Sequence, residues 1–285
     1  MKRFVLSIAA VLSITVLAAC GDGPSSTANQ PAPARLTISV PAPGQSTTID
    51  RVKKEGVIRV GVIVSAPFIL QDPVSSTWYG PAADVVASFA GTLGVKANWI
   101  GSDFDTIVAG LQADKFDIAA TGLYATPARK AVVDFVNYAK SGACYAVRKD
   151  DTRVNSLADL NNPDLHVVVV SGSSFITQFP TEYPRAQVTP KPLPPGAANF
   201  YNEIKTKRFD VTPIESTLAK QVAQQQPDLK IVPDAETCLL HPDLPQDVGF
   251  AVRKGDTGFR STLQDAATAL QSQTDAGISK YSSAQ

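Results

Sequence analysis

Two short runs of nearly unbroken β-branched residues, 57–64 (VIRVGVIV) and 167–170 (VVVV), constrain this chain most. Such runs read as strands covered on both faces, as in a largely parallel sheet. Each belongs to a series of alternating elements. After 57–64, Pro67 and Phe68 break the strand, residues 78–80 (WYG) turn, and 82–93 carry an amphipathic helical pattern closed by Gly94. A strand at 95–100, a helix at 104–111 and a strand at 116–120 follow. The second series runs through a strand at 144–148, a helix start at 156–160, the strand at 167–170 and a helix opened by residues 172–174. It continues with a helix at 201–207, a strand at 209–214, a helix at 218–226 and a strand at 229–233. The chain then returns through a strand at 248–252 and a long helix at 259–271. A short helix at 49–55, stopped by Gly56, precedes the first strand.

Strand–helix–strand alternation predicts an α/β fold with right-handed crossovers. Two such series joined by two crossing strands make two lobes. Lobe 1 is expected from residues 48–142 plus 247–285, and lobe 2 from 143–246. Closure about a hinge is the natural motion of that layout.

The first 47 residues read differently. Met1, Lys2 and Arg3 form a positive start, and residues 4–19 are apolar, ending in small residues before Cys20. This is the pattern of a secretory signal over 1–19; a spanning anchor wants about 20 apolar residues. Residues 17–20 (LAAC) followed by Gly21 resemble a bacterial lipoprotein box, which implies lipid on the Cys20 sulfur and attachment to a membrane surface. Residues 20–47 are rich in Pro, Ser, Ala and Gly and read as a disordered or extended stalk, with an edge strand at 36–40 as the alternative. Two further cysteines, Cys144 and Cys238, suggest a disulfide in an exported protein, or two buried thiols. With Lys plus Arg at 26 and Asp plus Glu at 26, no basic field exists for nucleic acid. The two histidines, His166 and His241, sit beside a strand and a proline, and neither spacing suggests a metal or a catalytic triad. There is no GxGxxG, phosphate-loop or GxSxG motif.

In parallel sheets, ligands gather at the carboxyl ends of strands. Those ends here are residues 65–68, the loop before Phe104, and residues 121–129. In the last, Thr126 and Pro127 open a helix and Arg129 falls in its first turn, where a cation is mildly misplaced unless it grips an anion. The alternative is a surface arginine paired with Asp134. Residues 172–174 (GSS) make either a small polar-group-binding turn or an ordinary cap. Glu215 ends the strand at 209–214.

From about residue 52 to its end, the chain resembles the bacterial extracellular solute-binding proteins of family 3, the polar amino-acid receptors of ABC importers. The matching segments are 58–62 (IRVGV) with Ala66-Pro67-Phe68, Gly80 with Asp84, and 104–111 with Lys115-Phe116-Asp117. Thr126-Pro127-Ala128-Arg129 with Val133-Asp134-Phe135, Gly172-Ser173-Ser174, Phe209-Asp210 and 249–256 (GFAVRKGD) complete the set. The resemblance implies a two-lobed periplasmic-binding-protein fold of type II, with Arg129 on the ligand α-carboxylate and Glu215 on its α-ammonium. It implies Phe104 against the ligand side chain, Ser173 and Ser174 reaching the carboxylate, and main-chain groups of Thr121 and Gly122 completing the cradle. Three positions depart from the pattern: Ser65 where an aromatic is common, Tyr124 where a small hydroxyl is common, and Glu215 for Asp. The wall that Ser65 would otherwise form is either missing or supplied by Trp78 or Tyr79.

The function implied is an extracytoplasmic binding lipoprotein, anchored by lipid to the cell membrane. It would act as a monomer without metal or cofactor, capturing a small polar solute, an amino acid in the first place, between the lobes for importer membrane subunits. Two rivals stand beside it. One is a dehydratase of prephenate or arogenate using Glu215 as general acid; the other is a surface lipoprotein sensing a ligand for a signalling partner.

Overall fold

A computed structural model describes residues 35–193 and 199–283. The signal segment, Cys20 and the stalk up to residue 34 lie outside the described residues. Helix α1 (Thr47–Glu55) leads into β1 (Val57–Val62). A small hairpin of β2 (Leu70–Gln71) and β3 (Trp78–Tyr79) precedes α2 (Pro81–Leu93), β4 (Lys96–Gly101), α3 (Ile107–Gln112), β5 (Ile118–Ala120) and α4 (Pro127–Val132). Strand β6 (Val133–Arg148) is the longest element of all the described strands. After it come β7 (His166–Val170), α5 (Phe175–Glu182), β8 (Gln187–Lys191), α6 (Tyr201–Lys205), β9 (Val211–Glu215), α7 (Ala219–Gln225), β10 (Leu229–Val232) and α8 (Ala235–Leu240). Strand β11 (Asp243–Arg253) returns, followed by α9 (Thr257–Ala269) and α10 (Gln271–Ser282).

Lobe 1 is built on the order β4-β1-β5-β11-β6, and lobe 2 on β6-β9-β7-β8 with β10 on the other side of β6. Strand β1 pairs in parallel with β4 and β5, and β7 in parallel with β8 and β9. Strands β6 and β11 run antiparallel to their neighbours and carry the chain between the lobes. The first half of β6 pairs with β11; its second half lies between β9 and β10. The sequence pattern marked only 144–148 of this strand, because in its first half buried and exposed residues are mixed and no continuous apolar run announces it.

Each lobe buries its own apolar cores. Phe68, Phe89, Phe250 and Phe259 anchor the first, with Phe89 and Phe259 meeting edge to face at 5.8 Å. Tyr145 and Phe179 anchor one face of the second sheet, and Phe200, Ile204 and Cys238 the other. Each buried aromatic contributes about 1.5–3 kcal/mol to its core, and Phe175 of lobe 2 packs against the cores of both lobes. Cys144 on β6 and Cys238 on α8 have their Cα atoms 6.0 Å apart and are joined as a disulfide inside lobe 2.

Two differences from the sequence reading concern the chain ends. Residues 36–40, read as part of the stalk, form no strand but are not free either. Leu36, Ile38 and Val40 pack on the first core, and the Leu36 amide donates to Thr92 Oγ1 at 2.9 Å. The long helix expected at 259–271 is α9, and a further helix, α10, which the sequence reading did not include, follows it and lies against α2 through Gly277 and Pro81.

Candidate functional site

The elements converge where the sheet logic predicts, on a cavity of about 120 Å³ between the lobes. Lobe 1 contributes Ser65, Phe104, Gly122, Tyr124 and Arg129 to its wall; lobe 2 contributes Ser173, Ser174 and Glu215. Thr126 caps α4 by accepting from the Arg129 amide at 3.3 Å, which fixes the start of the helix and hence the base of the Arg129 side chain. The guanidinium folds inward. Its Nη1 donates to the Tyr124 carbonyl at 3.0 Å and its Nη2 to the Gly172 carbonyl of the other lobe at 2.9 Å. Among the described residues no carboxylate lies within ion-pair distance of it, Asp134 included. Burial lowers its pKa to about 10, which still leaves it charged at neutral pH.

Glu215, at the end of β9, is enclosed by two hydroxyl donors. Tyr124 Oη donates to Oε2 at 2.8 Å and Ser141 Oγ to the same oxygen at 2.6 Å. No described cation pairs with it. Burial raises its pKa from 4.5 to about 7, against the opposing pull of those two bonds. Burial, and then the charge of Glu215, push the Tyr124 phenol well up, so Tyr124 is held as a donor. The site therefore holds one buried cation and one buried acid, each hydrogen-bonded but neither electrically matched.

The turn at 172–174 supplies a third element. Ser173 Oγ is buried without a hydrogen-bond partner, and such an orphaned group is expensive unless something else satisfies it. Gly172 sits at φ 72°, and a Cβ there would collide with the backbone of Phe104 and Asp105 across the cleft. Gly122 is similarly confined: a Cβ would run into Ser65 Oγ and stand 2.7 Å from Phe68 Cδ2.

Three residues predicted for the site lie elsewhere. Thr121 is fully buried; its hydroxyl donates to the Ile63 carbonyl at 3.0 Å and its carbonyl accepts from Tyr138 at 2.9 Å, so these groups serve lobe 1 internally. Trp78 packs on the first core, and Tyr79 stacks edge-on with Tyr281 at 5.6 Å. Both belong to the β2–β3 hairpin, which turns its aromatic residues towards the helices and not towards the cavity. The missing wall comes instead from Phe175 of lobe 2, whose ring meets Tyr124 edge-on at 5.8 Å. Phe175, Leu193, Tyr201 and Leu218 line the cavity and were not read from the sequence. Neither was Ser141, which occupies the polar stretch of β6 where no motif marks it.

Comparisons with known proteins agree with this architecture. The bacterial extracellular solute-binding proteins, family 3, match residues 58–281. An L-cystine-binding protein of Bacillus subtilis is 29% identical over 162 residues, 56% of this chain and 56% of that protein. An L-arginine-binding protein of Pseudomonas aeruginosa is 24% identical over 75% of this chain and 82% of that one. The chain spans only about half the length of the first curated relatives it matches, 56% and 52%. Among solved structures, an ancestral amino-acid-binding protein described as a precursor of cyclohexadienyl dehydratase superposes with a TM-score of 0.71 and 28% identity, covering 83% of this chain and 100% of that one. A mutant arginine-binding protein from T. maritima gives 0.68 and 27%, covering 82% and 99%. This chain thus shares the two-lobed periplasmic-binding-protein fold of these solved structures.

Proposed function

The chain belongs to the bacterial extracellular solute-binding proteins of family 3, and from that premise we propose that it captures a free amino acid between its lobes for an ABC importer. The observation that carries the reading is the pair of unmatched charges, Arg129 from lobe 1 and Glu215 from lobe 2, on the wall of one cavity. A zwitterion supplies what each lacks. Its carboxylate takes the Arg129 fork together with the orphaned Ser173 hydroxyl; its ammonium takes the Glu215 oxygen left free by Tyr124 and Ser141. Ser174 and the Gly122 backbone border the carboxylate end, and Phe104 lies against the side chain. Since the gripping groups come from both lobes, ligand favours the closed arrangement by its extra contacts there. A micromolar Kd corresponds to about 8 kcal/mol, within reach of two charge-assisted contacts after ordering costs.

The protein works outside the cytoplasm as a monomer. Lipid on Cys20 holds it to the membrane, and the following segment gives it reach to importer subunits. Calorimetric titration with common L-amino acids tests the binding role. One of them is expected to bind at micromolar concentrations, and Arg129→Ala is expected to weaken it at least about a thousandfold while the thermal unfolding profile is kept. Undiminished affinity in that variant removes Arg129 from the site.

A second reading is favoured by one observation, the Glu215 pKa of about 7, which suits a proton donor. The relation of one structural neighbour to cyclohexadienyl dehydratase points the same way. Incubation with prephenate and arogenate separates the two readings. No phenylpyruvate or phenylalanine is expected.

A further inference from the structure

The arginine-binding proteins among the structural neighbours accept a ligand with a second cation on its side chain. The cavity of this chain has a different charge inventory. Resting on the capture of an amino acid proposed above, we infer that its guest carries an uncharged, largely apolar side chain.

The argument is a count of charges and partners. Arg129 and Glu215 are the charged members of the cavity wall among the described residues. Once Arg129 holds the α-carboxylate and Glu215 the α-ammonium, no ionised group is left to meet a charged side chain. The short sequence between Leu193 and Asn199, PPGAA, contains no ionisable residue, so it adds no charge wherever it runs. The charged neighbours of the site are not part of its wall. Asp105 abuts Gly172 through its backbone and is exposed to solvent. Lys191 stands 3.9 Å from Glu203, with its ammonium over the Phe209 ring.

Of the polar wall groups, the hydroxyls of Ser65, Ser174 and Tyr201 are uncharged, and the Asn199 amide is already occupied. Asn199 donates to the Pro213 carbonyl at 3.2 Å and accepts from Thr212 at 3.0 Å and from the Phe200 amide at 2.6 Å. What remains to face the guest's side chain is apolar: Val64, Phe104, Val170, Leu193, Ile214 and Leu218. A second carboxylate placed among them would lose its water without gaining a partner, and an ammonium or guanidinium would gain at most an aromatic face such as Phe104 and no opposite charge, which falls short of the cost of burying it.

The test is calorimetric titration of the full chain, freed of carried-over ligand by unfolding and refolding, with the full set of common L-amino acids. The tightest is expected to be one with a neutral side chain, and arginine, lysine, aspartate and glutamate are expected to bind at least about a hundredfold more weakly. The deaminated analogue of the tightest amino acid, for example 4-methylpentanoate for leucine, is expected to lose at least about a hundredfold, because Glu215 then faces no cation. If any charged amino acid binds within a hundredfold of the best neutral one, this inference is overturned while the capture of amino acids stands. If the deaminated analogue binds as well as its parent, Glu215 is free for a side-chain cation and the count fails. Binding of no amino acid at all overturns the functional reading and this inference together.

Discussion

Buried charge is handled in two opposite ways in this protein. Asp117, leading into β5, has a fully covered side chain and accepts from Arg51, from the Arg59 amide and Nη2 at 2.8 Å each, and from Arg253 at 3.4 Å. In lobe 2, Asp151 and Asp210 are held the same way by Arg148 and Arg153. Burial alone pushes Asp117 up, yet the bonds from Arg59 and Arg51 outweigh it and hold its carboxyl below the usual range. Arg129 and Glu215 sit half-buried on the cavity wall with no opposite charge beside either. Where arginines lie directly against the acids, the charges fasten strands together. Where cation and acid are kept apart on the two sides of a cleft, they are left to recognise something else.

The widest separation between the two kinds is expected in stability. Asp117→Asn leaves Arg51, Arg59 and Arg253 facing a neutral amide and is expected to cost about 3–5 kcal/mol in urea unfolding. Glu215→Gln keeps the two hydroxyl bonds and removes the cost of holding a raised carboxyl, so it is expected to leave stability at neutral pH unchanged or raised by up to about 3 kcal/mol, while removing ligand binding. If the ranking of the two variants is reversed, the distinction between fastening and waiting charges is wrong.

A second contrast lies in pH. The carboxyls of the clusters are depressed, so their contribution is complete at neutral pH and is lost only as acid titrates the folded form below 3.8. Glu215 is raised, so its sign is opposite. Between 4.5 and about 7 the unfolded chain has given up this proton and the folded chain has kept it. The ligand-free protein is therefore expected to lose up to about 3 kcal/mol of stability as pH rises through that window. Affinity for an amino acid runs the other way, rising about tenfold per pH unit up to about 7 as the carboxylate forms. Thermal unfolding and titration calorimetry across pH 5–8 read both trends, and parallel trends would falsify the role given to Glu215.

The smallest effect is expected at Ser173. Its hydroxyl has no partner in the protein, so Ser173→Ala should leave stability unchanged or slightly raised and weaken binding about fivefold to tenfold. A clear loss of stability would move Ser173 to the fastening side of the comparison.

What the sequence made legible follows from local pattern. The β-branched runs mark β1 and β7, Thr126-Pro127 marks the start of α4, and the position of Glu215 follows from the end of β9. The lobes were readable because burial on both faces leaves an apolar run. The remainder depends on contacts between distant segments. Nothing near Trp78 and Tyr79 shows that their hairpin faces α10, since Tyr281 is the partner that decides it. Ser141 becomes a donor to Glu215 only because β6 pairs with β9 in a register that sets Ala143 opposite Glu215. Phe175 replaces the expected aromatic from the other side of the cleft, a substitution across lobes that no local window contains. Leu36, Ile38 and Val40 look like a stalk because their neighbours are prolines and serines; their packing surface is made by α2.

Gly172 offers a handle of another kind. Its Cα rests so near the backbone of Phe104 and Asp105 that a single methyl there is a wedge between the jaws. Alanine at this position alters no charge and leaves each jaw's interior intact, so the protein it yields should be propped ajar, with a larger radius in solution scattering. Such a form would let one ask whether the membrane machinery responds to the shape of the receptor or to its cargo.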